Sequence, residues 1–157
     1  MKAPKQIDNF EELGYTTDQQ LQEFAMDRGF QFNFIGFSDE LLHKKVPLGH
    51  NLINLGGYET RGEGTHWVYW YNDPKGKFSL YFDSYGVGPE DEVFDLSNKP
   101  LYINHKQIQR YNEDHCGIYV INAAAYVHNA RDKKRSIKDF VKGYKDVSRV
   151  EYNDIHL

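Results

Sequence analysis

From Cys116 to His128 the chain reads Cys-Gly-Ile-Tyr-Val-Ile-Asn-Ala-Ala-Ala-Tyr-Val-His, apolar on nearly every side of a helical projection. A helix of that kind has no face for water, so it predicts a central, enclosed helix with the rest of the chain wrapped around it. The wrapping material is aromatic. Phe, Trp and Tyr make up 15% of the residues, with 12 tyrosines, which favours a sheet with a thick core over a helical bundle. The expected fold class is therefore α+β: a mixed, mainly antiparallel central sheet packed against the buried helix, with outer helices. At 157 residues one core suffices, and 1–157 is expected to form a single domain.

Local patterns supply the other elements. Thr17-Asp18-Gln19-Gln20 has the form of a capping box, and Leu21, Phe24 and Ala25 follow at helical spacing before Gly29, predicting a helix over 18–28. Phe30, Phe32 and Phe34 alternate with Gln31 and Asn33, the period of a strand with one buried face. A short helix over 38–44, a strand over 51–55 and a Gly-rich loop over 56–64 come next. Two strands, 66–72 and 77–83, are joined by Asp73-Pro74-Lys75-Gly76, whose residues suit a type I turn. If Asn72 faces Lys77, His66 lies directly opposite Asp83, with their Cβ atoms roughly 4.5–5.5 Å apart. Trp67, Tyr69 and Tyr71 then share the other, apolar face with Phe78, Leu80 and Phe82. A bulge at Gly76 would slip this register by one and set Asp83 opposite Trp67. A surface helix over 89–97, a strand over 101–104 and an outer amphipathic helix over 136–144 complete the expectation.

Charge and cysteine usage narrow the partners. A net charge of −4 gives no general attraction to polyanions, and Arg131, Lys133, Lys134 and Arg135 suit a solvated helix end, where cations favour the dipole. Nucleic acid is therefore not an expected partner. No apolar run reaches the roughly 20 residues of a bilayer crossing, and Met1 to Asn9 is too polar for a signal-peptide core, so a soluble, intracellular protein without a membrane partner is expected. Cys116 is the only cysteine, which excludes an internal disulfide and any multi-thiolate metal site; no cofactor or metal is implied.

That thiol also opens the chemistry. An ordinary cysteine, with a pKa of about 8.5, is only a few per cent thiolate at neutral pH, so a nucleophile needs its charged form stabilised. Asp114 capping the helix would put Cys116 in the first turn, where unpaired amides and the dipole favour an anion. His66 could take the thiol proton while Asp83 fixes the tautomer and aims the ring. The Cys116 amide and the Gln109 side chain could supply oxyanion donors. Taken singly, each residue also has a plain role: a buried packing cysteine, a structural histidine at a strand end, carboxylates at Glu113 and Asp114 that cap a helix. His115 adjoins Cys116, but neighbouring side chains at a helix start point apart, and His43, His50, His105, His128 and His156 have no comparable setting. The conjunction of a His–Asp pair, a glutamine and a helix-initiating cysteine reads as a cysteine protease.

The segment 64–86, GTHWVYWYNDPKGKFSLYFDSYG, resembles the adenovirus maturation protease (adenain) family without a gap, including the His-Trp pair, the Asp-Pro turn and the Phe-acid-x-x-Gly ending. Gln109 stands at that family's spacing from Cys116, and Cys116-Gly117-Ile118-Tyr119 is similar to its Cys-Gly-Leu-aromatic helix start. The broader clan includes the proteases that process SUMO and other ubiquitin-like proteins. The N-terminal half is similar to the compact maturation proteases of virophages and Polinton-type elements.

This resemblance implies an adenain-like fold and a thiol endopeptidase with His66, Asp83, Gln109 and Cys116 as catalytic residues. Its substrates would be capsid or other virion precursors cut after small, Gly-type residues, and the protein would be a monomer in the virion and host-cell interior. Trp67 and Gly117 are the implied substrate contacts, with Trp67 roofing a narrow channel, although the hairpin register alone assigns Trp67 to the core. Asp83 stands where adenain has glutamate. The family's disulfide-linked peptide activator is not carried over to a chain with one cysteine, and Gln107 is a second candidate oxyanion donor. Two other functions fit the same residues: an isopeptidase for ubiquitin-like modifiers, and a capsid-associated binding module without turnover.

Overall fold

The computed structural model describes residues 17–55, 66–110 and 116–147. The Gly-rich loop over 56–64, Glu113, Asp114, His115 and His156 lie outside the described residues. The chain opens with helix α1 (Asp18–Asp27), and its capping box is formed as expected. The Thr17 hydroxyl accepts from the Gln20 amide at 3.1 Å and the Gln20 side chain accepts from the Thr17 amide at 2.9 Å.

Phe30, Phe32 and Phe34 are buried and Gln31 and Asn33 exposed, the predicted alternation, yet only Phe34–Phe37 pairs as strand β1. The cause is local. Gln22 of α1 accepts from the Phe32 amide at 2.8 Å and donates to its carbonyl at 3.1 Å, so a side chain stands where a neighbouring strand would. A 3-10 turn over Ser38–His43 leads into β2 (Gly49–Asn54), followed by β3 (Trp67–Asn72), β4 (Ser79–Phe82) and β5 (Leu101–Ile103).

These strands form one sheet in the order β1-β2-β3-β4-β5. The centre, β2 to β4, is antiparallel, whereas both outer pairings are parallel, so the sheet is more evenly mixed than the sequence suggests. Chain economy explains this. A short hairpin loop serves β3–β4, while β1–β2 and β4–β5 are joined by longer segments carrying the 3-10 turn and helix α2 (Asp91–Leu96), long enough for a crossover.

Helix α3 (Cys116–Asn129) lies across one face of the sheet, and 11 of its 14 residues are buried, as its all-round apolarity requires. Val120, Ile121, Ala124 and Val127 share a core with Trp67, Tyr69, Tyr71, Phe78, Leu80 and Phe82, the face predicted from the hairpin. On the opposite face Val68, Trp70 and Tyr81 pack with Ile53, Leu41 and Val93. Helix α4 (Ser136–Lys142) packs outside, Phe140 meeting Phe82 edge-on at 5.5 Å between ring centroids. Within the basic stretch after α3, Lys133 Nζ donates to the carbonyls of Val127, His128 and Ala130, a cation closing a helix C-terminus. No helix among the described residues is long and apolar enough to cross a membrane.

The hairpin register differs from the expected one by two residues: Asn72 faces Ser79, not Lys77. The turn is wider because Asp73 Oδ2 takes the Lys77 amide at 3.1 Å and Gly76, at φ 75°, supplies a left-handed residue after the turn. A two-residue shift preserves which side chains share a face, so the core assignment holds while the partners change. Asn72, fully buried, pins the new register: Oδ1 accepts from Ser79 Oγ at 2.6 Å and the Asn98 amide at 3.0 Å, and Nδ2 donates to the Pro47 carbonyl at 3.2 Å. Asn72→Ala should therefore cost about 2–4 kcal/mol, seen as a lower midpoint in urea unfolding, because it strands several polar groups.

Candidate active site

The shifted ladder ends at Tyr69 and Phe82, so His66 and Asp83 lie just beyond its paired residues rather than directly opposite each other within it. The imidazole spans the gap between them: Nε2 meets Asp83 Oδ1 at 2.6 Å. The predicted pair is formed, but by a different geometry from the direct opposition expected. Both groups are deeply buried, Asp83 at 2% exposure, and a buried carboxylate must be surrounded by donors.

Asp83 Oδ1 also accepts from the Tyr85 amide at 2.9 Å. Its main chain is clamped by Asn104, whose Oδ1 accepts from the Asp83 amide at 3.0 Å and whose Nδ2 donates to the Asp83 carbonyl at 2.7 Å. The Asp83 carbonyl further accepts the Gly86 amide at 2.8 Å, closing a tight turn in which Gly86 takes φ 73°. That turn gives the Phe-acid-x-x-Gly pattern its physical content.

Cys116 stands at the first position of α3, at 6% exposure, and its Sγ accepts a hydrogen bond from the Trp67 amide at 3.4 Å. The residue after the histidine thus supplies a main-chain donor to the sulfur. The Trp67 side chain lies in the core shared with α3, the location given by the hairpin register. Gly117 is buried behind the cysteine as the second residue of the helix.

On His66, burial works against the charged ring, but hydrogen bonding to Asp83 and then interaction with the Cys116 sulfur outweigh it and raise the pKa from 6.5 to about 9. The second ring nitrogen, Nδ1, is buried and closes no hydrogen bond of ordinary geometry among the described residues. With Nε2 committed to Asp83, it is the atom left to exchange a proton with the thiol. The arrangement can hold an imidazolium beside a sulfur, with a carboxylate on the ring nitrogen opposite the one left for proton exchange.

Gln109 is fully buried and tied to the turn that carries Asp83. Its amide and that of Ile108 donate to the Ser84 carbonyl at 3.1 and 2.9 Å, and the Ser84 hydroxyl donates to Gln109 Oε1. With its oxygen held by Ser84, the side chain's other end is an NH₂ donor. Gln107 is engaged differently: its Nε2 donates to the Gln109 carbonyl at 3.0 Å, a scaffold contact that favours Gln109 as the donor for chemistry.

Among the other histidines, His50 is pushed down to about 3 by burial first and then by His128 and Lys133. It meets the Tyr69 hydroxyl at 2.6 Å, a neutral ring in an aromatic cluster. His105 is exposed. Ser84, Tyr85 and Asn104 carry no local signal, since a serine, a tyrosine and an asparagine near strand ends are common in any role; only Gly86 hints that the residues before it form a turn.

Because the folded His66 pKa lies above 6.5, its proton stabilises the folded chain. That contribution is fully present below pH 6.5 and is lost as pH rises through about 9. Unfolding free energy from urea titrations should decline across this window in the wild type, and the decline should flatten in His66→Gln. No protein-family model matches the chain, and no curated protein matches it in sequence.

Proposed function

We propose that this protein is a cysteine endopeptidase of adenain-like fold that processes capsid or other virion precursors after small, Gly-type residues. One observation carries the proposal: His66 just before β3, Asp83 just after β4 and Cys116 from the head of the buried helix meet, with the acid on one ring nitrogen and the sulfur acting on the same ring. The order of these residues along the chain and the adenain-like motifs around them support the same reading.

In the proposed reaction the Cys116 proton passes to His66, and the resulting thiolate, held by the Trp67 amide, attacks the scissile carbonyl carbon. The carbonyl oxygen takes up the negative charge of the tetrahedral species and is met by the Cys116 amide and the Gln109 NH₂ group. Collapse breaks the C–N bond, and the His66 proton goes to the departing amine. Water, deprotonated by the now neutral His66, then attacks the thioester; the C–S bond breaks and the acid product leaves with the thiol restored. Asp83 holds the ring's tautomer and orientation throughout.

Co-expression with the major capsid precursor, read by intact mass, tests the proposal. Processing at a Gly-containing junction is expected with the wild type and not with Cys116→Ala; cleavage retained by the alanine variant would dismiss the mechanism. A Gly-Gly-ended modifier conjugate assayed alongside would, if strongly preferred, transfer the reading to an isopeptidase. Gln109→Ala should lower kcat by about 100- to 1,000-fold with a smaller change in KM, as for loss of one oxyanion donor.

A further inference from the structure

Tyr85 has no part in the scheme above, yet its ring lies on the His66 imidazole with 4.1 Å between centroids and 9° between planes. Two neutral aromatic rings prefer an offset or edge-on approach, commonly 4.5–7 Å apart, because their negative faces repel. A close parallel stack instead suits a cation on the face of an electron-rich ring. The backbone holds this stack in place. The Tyr85 amide donates to Asp83 Oδ1, the oxygen that also takes His66 Nε2, and the Asp83–Gly86 turn fixes the backbone on either side of Tyr85.

We infer that Tyr85 is a positioning residue: its ring braces the His66 imidazole in the plane in which Nε2 meets Asp83, and its negative face favours the charged imidazolium over the neutral ring. One residue thereby serves both halves of the dyad, its amide on the carboxylate and its ring on the imidazole. Among the described residues, the other titratable groups acting on His66 are Asp83, just after β4, and Cys116, at the head of α3. Tyr85 adds no charge of its own, so its contribution is separable from theirs by substitution. The catalytic meaning of this brace rests on His66 being the base of the proposed reaction; the brace itself does not.

The test reads the ring directly, without substrate. The His66 titration midpoint is followed by NMR of ring-labelled full-length protein in the wild type, Tyr85→Phe and Tyr85→Leu, with Asp83→Asn as the control that must lower it. Tyr85→Phe keeps a π face and should leave the midpoint nearly unchanged. Tyr85→Leu keeps apolar cover without that face and should lower the midpoint by about 0.5–1.5. Replacing Tyr85 by pentafluorophenylalanine, which keeps the ring and reverses its quadrupole, should lower it too, and covers the case in which the leucine variant does not fold. If the fluorinated ring leaves the midpoint at the wild-type value while Asp83→Asn lowers it, Tyr85 is mere packing and the inference is overturned. Absence of proteolysis with the midpoint shifts intact would instead remove the proposed function and leave the brace standing.

Discussion

A carboxylate and an imidazole enclosed together in the protein interior set the terms for everything around them. Removing either group from water is expensive, and losing one partner would strand the other without compensation. The 2.6 Å bond between His66 and Asp83 is therefore tolerable only with further donors and a fixed main chain, which Tyr85, Asn104 and Gly86 provide. Residues 83–86 act as a hub: Asp83 holds the ring, Ser84 holds Gln109, the Tyr85 ring covers the imidazole, and Gly86 closes the turn that puts all three in place. A small change of backbone there would disturb His66 and Gln109 together.

The second constraint is the enclosed helix. Because α3 packs on Trp67, Tyr69 and Tyr71, its first residue is brought to the start of β3, next to the strand residue that follows His66. Core packing and the candidate chemistry are thus parts of one arrangement: Cys116 and Trp67 belong to the same apolar cluster, while the Trp67 amide turns to the sulfur. Enclosure also lends strength to the electrostatics, since an imidazolium shielded from water feels neighbouring charges and ring faces more fully than an exposed one.

Much of this was legible in the sequence, for identifiable reasons. The Thr17 capping box, the two faces of the β3–β4 hairpin and the burial of α3 follow from periodicity and cap chemistry, which are local. The register was not. It depended on whether the Asp73 side chain would capture the Lys77 amide and widen the turn, a competition between side chain and ladder that residue types alone do not decide. The strand expected from Phe30 likewise begins only at Phe34, because a glutamine one helix away takes up the backbone bonds. The His66–Asp83 pair emerged despite the register error because a two-residue slip keeps both on one face. The supporting set of Ser84, Tyr85 and Asn104 is assembled by tertiary contacts across as many as 25 positions and leaves no local signature.

The central claim is that a thiol at the head of an enclosed helix is made reactive by a carboxylate-held imidazole. Its most direct measurement is the rate of Cys116 carboxymethylation by iodoacetate as a function of pH, read by intact mass in the wild type and in His66→Gln. The account predicts that at pH 6 the wild type reacts roughly 10–100-fold faster than a free cysteine and that His66→Gln loses this advantage. A wild-type thiol that reacts no faster than free cysteine, with an unshifted profile in the variant, would contradict it.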